Sequence, residues 1–183
     1  MRSPHRSSAC GVLGLGLLSL VGCGSKSTTP DASSSAFLPI PACGGSAQIT
    51  GITPVGYFNG DSVAVQATLG GSTSIAVFVA DSGSGALLTW QTTWPSSDGG
   101  ANLAPITESN DATFTSPMGA STLATMVPGT VDVVSATNPA DASGAGHGGQ
   151  IDENVAFSTS TFQLSGSLTS AYCQITSAAT TSP

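Results

Sequence analysis

Apolar and polar residues alternate with a period of two along the middle of the chain, which is the period of half-buried strands. Val63, Val65, Ala67 and Leu69 share one parity, with Ala64, Gln66 and Thr68 on the other. Thr73 to Ala80 (TSIAVFVA) is apolar at both parities, as in a strand covered on both faces. Ala86 to Gln91, Ala112 to Thr115 and Thr130 to Ala136 give shorter runs of the same kind. Near the end, Phe162, Leu164, Leu168 and Tyr172 oppose Gln163, Ser165, Ser167 and Thr169, and Gly166 between them predicts a bulge or tight turn. Gly-rich clusters separate the runs: Asn59-Gly60-Asp61, Leu69-Gly70-Gly71-Ser72, Asp81-Ser82-Gly83-Ser84-Gly85 and Ser97-Asp98-Gly99-Gly100. One helix is predicted, from Pro117 to Val127, with Ser116 as its cap and Pro117 at its first position. Short strands with Gly-rich turns predict an all-β fold, an antiparallel β-sandwich or small barrel of about 7–8 strands.

Composition narrows this further. The 183 residues have room for one domain with appendages. Charged residues are 7% and apolar residues 39%, the opposite of the balance that keeps a chain disordered. The three basic residues are Arg2, Arg6 and Lys26, so no Lys or Arg occurs from Ser27 to Pro183. A domain without cations cannot neutralise phosphates, which excludes nucleic acid as a partner. Nine acidic residues, from Asp61 to Glu153, therefore have no cationic side chain available in that domain. Each must be hydrated, hydrogen-bonded or matched by a bound cation. Asp61, Asp81, Asp98 and Asp141 sit beside Gly or Ser and are predicted to cap turns. Ser and Thr, 51 of 183 residues, supply the solubility that Lys and Glu normally give.

The N-terminus has the layout of an export signal. Arg2, His5 and Arg6 are followed by an apolar stretch from Cys10 to Val21, well below the roughly 20 residues that span a bilayer. Leu20-Val21-Gly22-Cys23 closes it and resembles the lipobox of bacterial lipoproteins. That resemblance implies cleavage before Cys23, a diacylglyceryl group on its thiol, and a membrane held through the lipid. Gly24 stands where the family's inner-membrane retention signal would place Asp, which implies the outer membrane. Residues 1–22 are then signal and 23–36 the lipidated Cys with a Ser/Thr tether (GSKSTTPDASSSA), whose random-coil reach is about 20 Å. Residues 37–176 form one β-domain and 177–183 a disordered tail.

With Cys10 leaving in the signal and Cys23 taken by lipid, Cys43 and Cys173 remain, and in an oxidising extracytoplasmic compartment two such thiols pair. The stretch Phe162 to Cys173 (FQLSGSLTSAYC) resembles the endings of uncharacterised β-rich surface lipoproteins with a C-terminal Cys. This second resemblance implies a β-rich exported domain with a terminal disulfide.

Candidate chemistry is sparse. His147 is the only histidine after the signal, and it sits in a Gly-rich loop too supple to hold a base, with no Gly-x-Ser-x-Gly elbow in the chain. Gly144, Gly146 and Gly149 match G-x-G-x-x-G but lack the strand-to-helix context that phosphate binding needs. Asp141 to Asp152 has the length of a calcium loop with Gly146 at its sixth place, although Ser143 and Ala145 hold ligand positions and Glu153 misses by one. Asp141, Asp152 and Glu153 are thus candidate ligands for an irregular Ca2+ site, against the simpler expectation of no cofactor. Trp90 and Trp94, four apart, are candidate sugar-stacking residues, although Trp90 fits the core better.

The expected function is a non-enzymatic, lipid-anchored envelope or cell-surface β-domain with a structural or ligand-binding role. The alternatives are a carbohydrate- or calcium-binding module and, behind it, an extracytoplasmic hydrolase. The sequence names no protein or glycan partner.

Overall fold

The computed structural model describes residues 38–70, 72–94, 102–103, 106–140 and 149–177, without the side chains of Trp94, Asn102 and Leu103. The signal, Cys23, the tether, residues 178–183 of the tail, Asp98, Asp141 and His147 lie outside the described residues. The strands are β1 (Gly45–Thr53), β2 (Gly56–Gly60), β3 (Ser62–Leu69), β4 (Thr73–Ala80), β5 (Leu87–Trp94), β6 (Asn102–Leu103), β7 (Ile106–Met118), β8 (Ser121–Thr137), β9 (Gln150–Ser158), β10 (Gln163–Ala171) and β11 (Gln174–Ser177). They form a single sheet in the order β11-β3-β4-β5-β7-β8-β9-β10-β1-β2, with β6 on β8. Every pairing is antiparallel except the parallel β11–β3 pair.

The chain forces this sheet to curl. β2 and β3 lie near opposite ends of the strand order, yet only Asp61 separates them in sequence, and its N–H donates to the Ala80 carbonyl at 3.0 Å. The sheet therefore bends into a half-barrel, with the apolar parities of its strands facing inward. Fully buried Ile49, Val65, Val77, Leu88, Phe114 and Phe157 sit in this interior, and Phe114 meets Phe58 and Phe162 edge-on with ring centroids 5.8 and 5.3 Å apart. The parity read for β3 and β4 holds. Val63, Val65 and Ala67 face in, and β4 is covered on both sides because Leu38 and Ile40 pack over Ala64, Phe78 and Ala80 on the outer face.

The fold is all-β as expected, but the sandwich or small barrel of about seven or eight strands gives way to one curled sheet of eleven among the described residues. Glycines hid the extra strands: β1 and β2 contain Gly51, Gly56 and Gly60, which interrupt the apolar alternation. The helix predicted over Pro117 to Val127 is a β-hairpin, turning at Gly119 with φ +61°. Leu123 and Val127 are four apart, a spacing that serves a helix face and one face of a strand equally, and pairing along the whole of β7 decided the outcome. Pro128 interrupts no pairing with β9, which begins only at Gly129.

Gly166 makes neither a bulge nor a turn. β10 keeps continuous register with β1, from Gly45↔Ser170 to Ile52↔Gln163. Its φ of +154° lets the two backbones approach where a Cβ would strike the Gln48 carbonyl. Gly166→Ala is expected to cost about 2 kcal/mol, from backbone strain plus this clash. A denaturant midpoint unchanged by that substitution would contradict the close approach.

A buried carboxyl as the candidate functional site

Strand β9 alternates without a break: Ile151, Glu153, Val155 and Phe157 are buried, while Gln150, Asn154, Ala156 and Ser158 are exposed. Glu153 thus occupies a slot that the pattern reserves for an apolar side chain, and it is 1% exposed. In register it lies beside Val133 of β8 and Leu168 of β10. Across the concave interior, the Trp90 indole N–H donates to one carboxylate oxygen at 2.9 Å and the Thr92 hydroxyl to the other at 3.4 Å. Trp90 and Thr92 are inward neighbours on β5, which β7 and β8 separate from β9 in the sheet. The curl of the sheet, not strand pairing, brings these groups together. Trp90 also packs on Phe157, centroid to centroid 5.6 Å, which fixes the indole that holds the carboxyl.

Electrostatics follow from burial. Removal from water pushes the Glu153 carboxyl up to about 7, against the downward pull of the Trp90 and Thr92 bonds, and the like charge of Glu108 adds to the rise. Glu108 reaches this region from an inward-facing, half-buried position on β7. Tyr172 closes the same region, with its hydroxyl donating to the Thr137 carbonyl at 2.7 Å. Burial first, and the Glu153 charge second, raise the tyrosine above its ordinary value. With no cationic side chain in the domain, Glu153 is comfortable here only when it carries its proton. A carboxyl with this affinity has the proton inventory of a general acid, but its enclosure keeps it from an outside reactant. What it does in this arrangement is tie β5 to β9 through the core.

Three other carboxylates, Asp61, Asp81 and Asp152, find the donors that a domain without cations must supply from hydroxyls and amides. Asp81 accepts from the N–H groups of Asn59, Gly83 and Ser84 and from the Ser84 hydroxyl, capping the β4–β5 turn as the sequence predicts. Burial works upward on Asp81, but these bonds together outweigh it and hold the carboxyl below its ordinary range. Asp61 is bound by the Ser82 backbone N–H at 3.1 Å and by its hydroxyl. Asp152 is held below its ordinary range by the hydroxyls of Ser135 and Thr169, the latter at 2.7 Å, and by the Gln150 amide.

Of the sequence candidates, Trp90 is buried at 3% exposure, inside the half-barrel. The side chain of Trp94 is not among those described. Asp152 and Glu153 are consecutive on a strand and project to opposite faces, outward and inward. A β-bulge in β8, between Val133 and Ser135, stands opposite this pair. Among the described residues no three His, Cys, Asp or Glu side chains converge as metal ligands would. The structure thus brings together Trp90 and Glu153, singled out in the sequence for unrelated reasons. Their pairing across 63 residues had no signal there. The strict alternation around Glu153 was the available clue to its burial.

The Cys43–Cys173 disulfide is formed, with Cα atoms 4.9 Å apart, and joins the segment before β1 to the one before β11. No family model matches this chain, nor does any curated protein or solved structure.

Proposed function

We propose that this chain is an exported β-domain, tethered by lipid at Cys23 to the outer membrane of a bacterial envelope, with a structural or ligand-binding role and no catalysis. The observation that carries the reading is the disulfide, which ties the segment before β1 to the one before β11 across 130 residues. A bridge of that kind persists in oxidising compartments, and the lipobox-like Leu20-Val21-Gly22-Cys23 gives a route to one. The site geometry agrees with a non-catalytic role: the most perturbed carboxyl is enclosed and committed to Trp90 and Thr92. Asp61, Asp81 and Asp152 are likewise engaged by hydroxyls and amides.

Expressed from its full sequence in a diderm bacterium, the protein is expected to begin at Cys23 and to carry diacylglyceryl and N-acyl mass there. Cys23→Ser should leave unprocessed chain. Mature protein with a free Cys23 thiol, found by intact-mass spectrometry, would refute the anchor.

A further inference from the structure

The end of the half-barrel formed by the β1–β2, β4–β5 and β7–β8 turns has an uncharged apolar rim on two of them. Ile52 and Tyr57, a cross-strand pair at the first turn, are 61% and 67% exposed, with Val55 at its tip and Met118 on the β7–β8 turn also exposed. The three turns are one neighbourhood: a small cavity of about 130 Å3 is lined by Val55 and Tyr57 from the first, Ser84 and Ala86 from the second, and Pro117 from the third. The described chain begins near this end as well. Leu38, the first described residue, belongs to an outer-face cluster with Ala64, Phe78, Ala80 and Leu87, of which the last two flank the β4–β5 turn. Thirty-seven residues precede it, including the apolar stretch and Cys23.

We infer that this rim rests on the surface of a zwitterionic lipid bilayer, held there by the tether that enters beside it. The inference rests on the lipid anchor proposed above. A tether over residues 23–36 of about 20 Å reach keeps the domain at an effective concentration of order millimolar. At that concentration a few interfacial side chains suffice, and Tyr in particular suits a boundary where one end of the ring is apolar and the other wet. Charge complementarity points to a neutral surface, since a domain with nine carboxylates and no cation is repelled by anionic lipid. The two carboxylates at this end do not oppose contact: Asp81 is buried under four hydrogen bonds, and Asp61 is turned to Ser82.

The test uses the full acylated chain in phosphatidylcholine vesicles. Trypsin can cut the mature protein only after Lys26, between anchor and domain, so one sample gives the tethered and the released state. Amide exchange at 55–58 and 118–121 should be roughly fivefold slower on vesicles than after release. Ile52→Ser with Tyr57→Ser, both exposed, should abolish the slowing while the chain still floats with the vesicles. Equal exchange before and after trypsin, in protein that floats, would overturn the docked rim and leave the anchor standing. Protein that fails to float before trypsin would overturn the anchor, and the rim with it.

Discussion

Replacing Cys43 and Cys173 together by Ala is expected to lower stability by about 5 kcal/mol, the largest loss any change to this domain should bring. The bridge closes 130 residues, and the chain-entropy cost of leaving so long a loop open in the unfolded state is about 5 kcal/mol. Against the roughly 5–15 kcal/mol by which domains are stable, that is a third or more of the total. With an unfolding entropy of about 0.3 kcal/mol/K for a domain of this size, the melting temperature should fall by about 15 °C. The structure also says where the loss appears first. The Cys173 N–H donates to the Val65 carbonyl at 2.8 Å, and β11 follows at once, paired to β3 over only four positions, Gln174↔Gln66 to Ser177↔Leu69. Without the bridge, nothing of comparable strength holds that short parallel edge, so its amides should lose protection before those of β3. A melt of the oxidised protein with and without reductant, beside the double variant, checks both claims. The variant should ignore reductant and match the reduced wild type. A fall below about 3 °C would mean the closed loop constrains little in the unfolded chain.

How far the fold could be read beforehand depended on which physical signal dominated each segment. Parity is local, so the buried faces of β3 and β4 and the strand character of Phe162 to Tyr172 were legible from residue order alone. The Pro117 to Val127 segment was not, because its two apolar anchors fit either period and a Ser-Pro opening resembles a helix cap. What settled it is long-range pairing along β7, from Ile106↔Val133 to Met118↔Ser121. Gly166 misled for a related reason. A glycine inside a strand signals that something comes close, and here that is the neighbouring Gln48 carbonyl and not a change of direction. The candidate site was only half legible in residue order. Residue order places Glu153 on the inward face of its strand, yet only the curl of the sheet puts Trp90 and Thr92 opposite it. Curvature is a sum of small twists that no single residue announces.

Glu153→Gln is expected to reverse the usual sense of a core substitution, stabilising the protein at pH 8 by about 3 kcal/mol and at pH 5 by no more than about 1 kcal/mol. Unfolded, the Glu153 carboxyl titrates near its ordinary 4.5; folded, it holds its proton up to about 7. Between those values the folded state carries one proton more than the unfolded state, so stability falls as pH rises, by about 1.4 kcal/mol per unit. The contribution is complete below pH 4.5 and is lost as pH passes through 7. Asp81 and Asp152 act in the opposite direction, their carboxylates being held below the ordinary 3.8, so their stabilisation is lost only in stronger acid. Stability should therefore peak in mildly acidic solution and decline through neutrality, and the Gln variant should remove the decline. Melting temperatures at pH 5, 6, 7 and 8 give the comparison, with a difference of about 10 °C expected at pH 8. Trp90→Phe provides the converse. It takes away the nearer donor, leaves the ionised form with Thr92 alone, and should carry the same decline to higher pH. Parallel pH profiles for wild type and Glu153→Gln would show that the carboxyl is ionised in the folded core, and the proton-bearing tie between β5 and β9 would have to be abandoned.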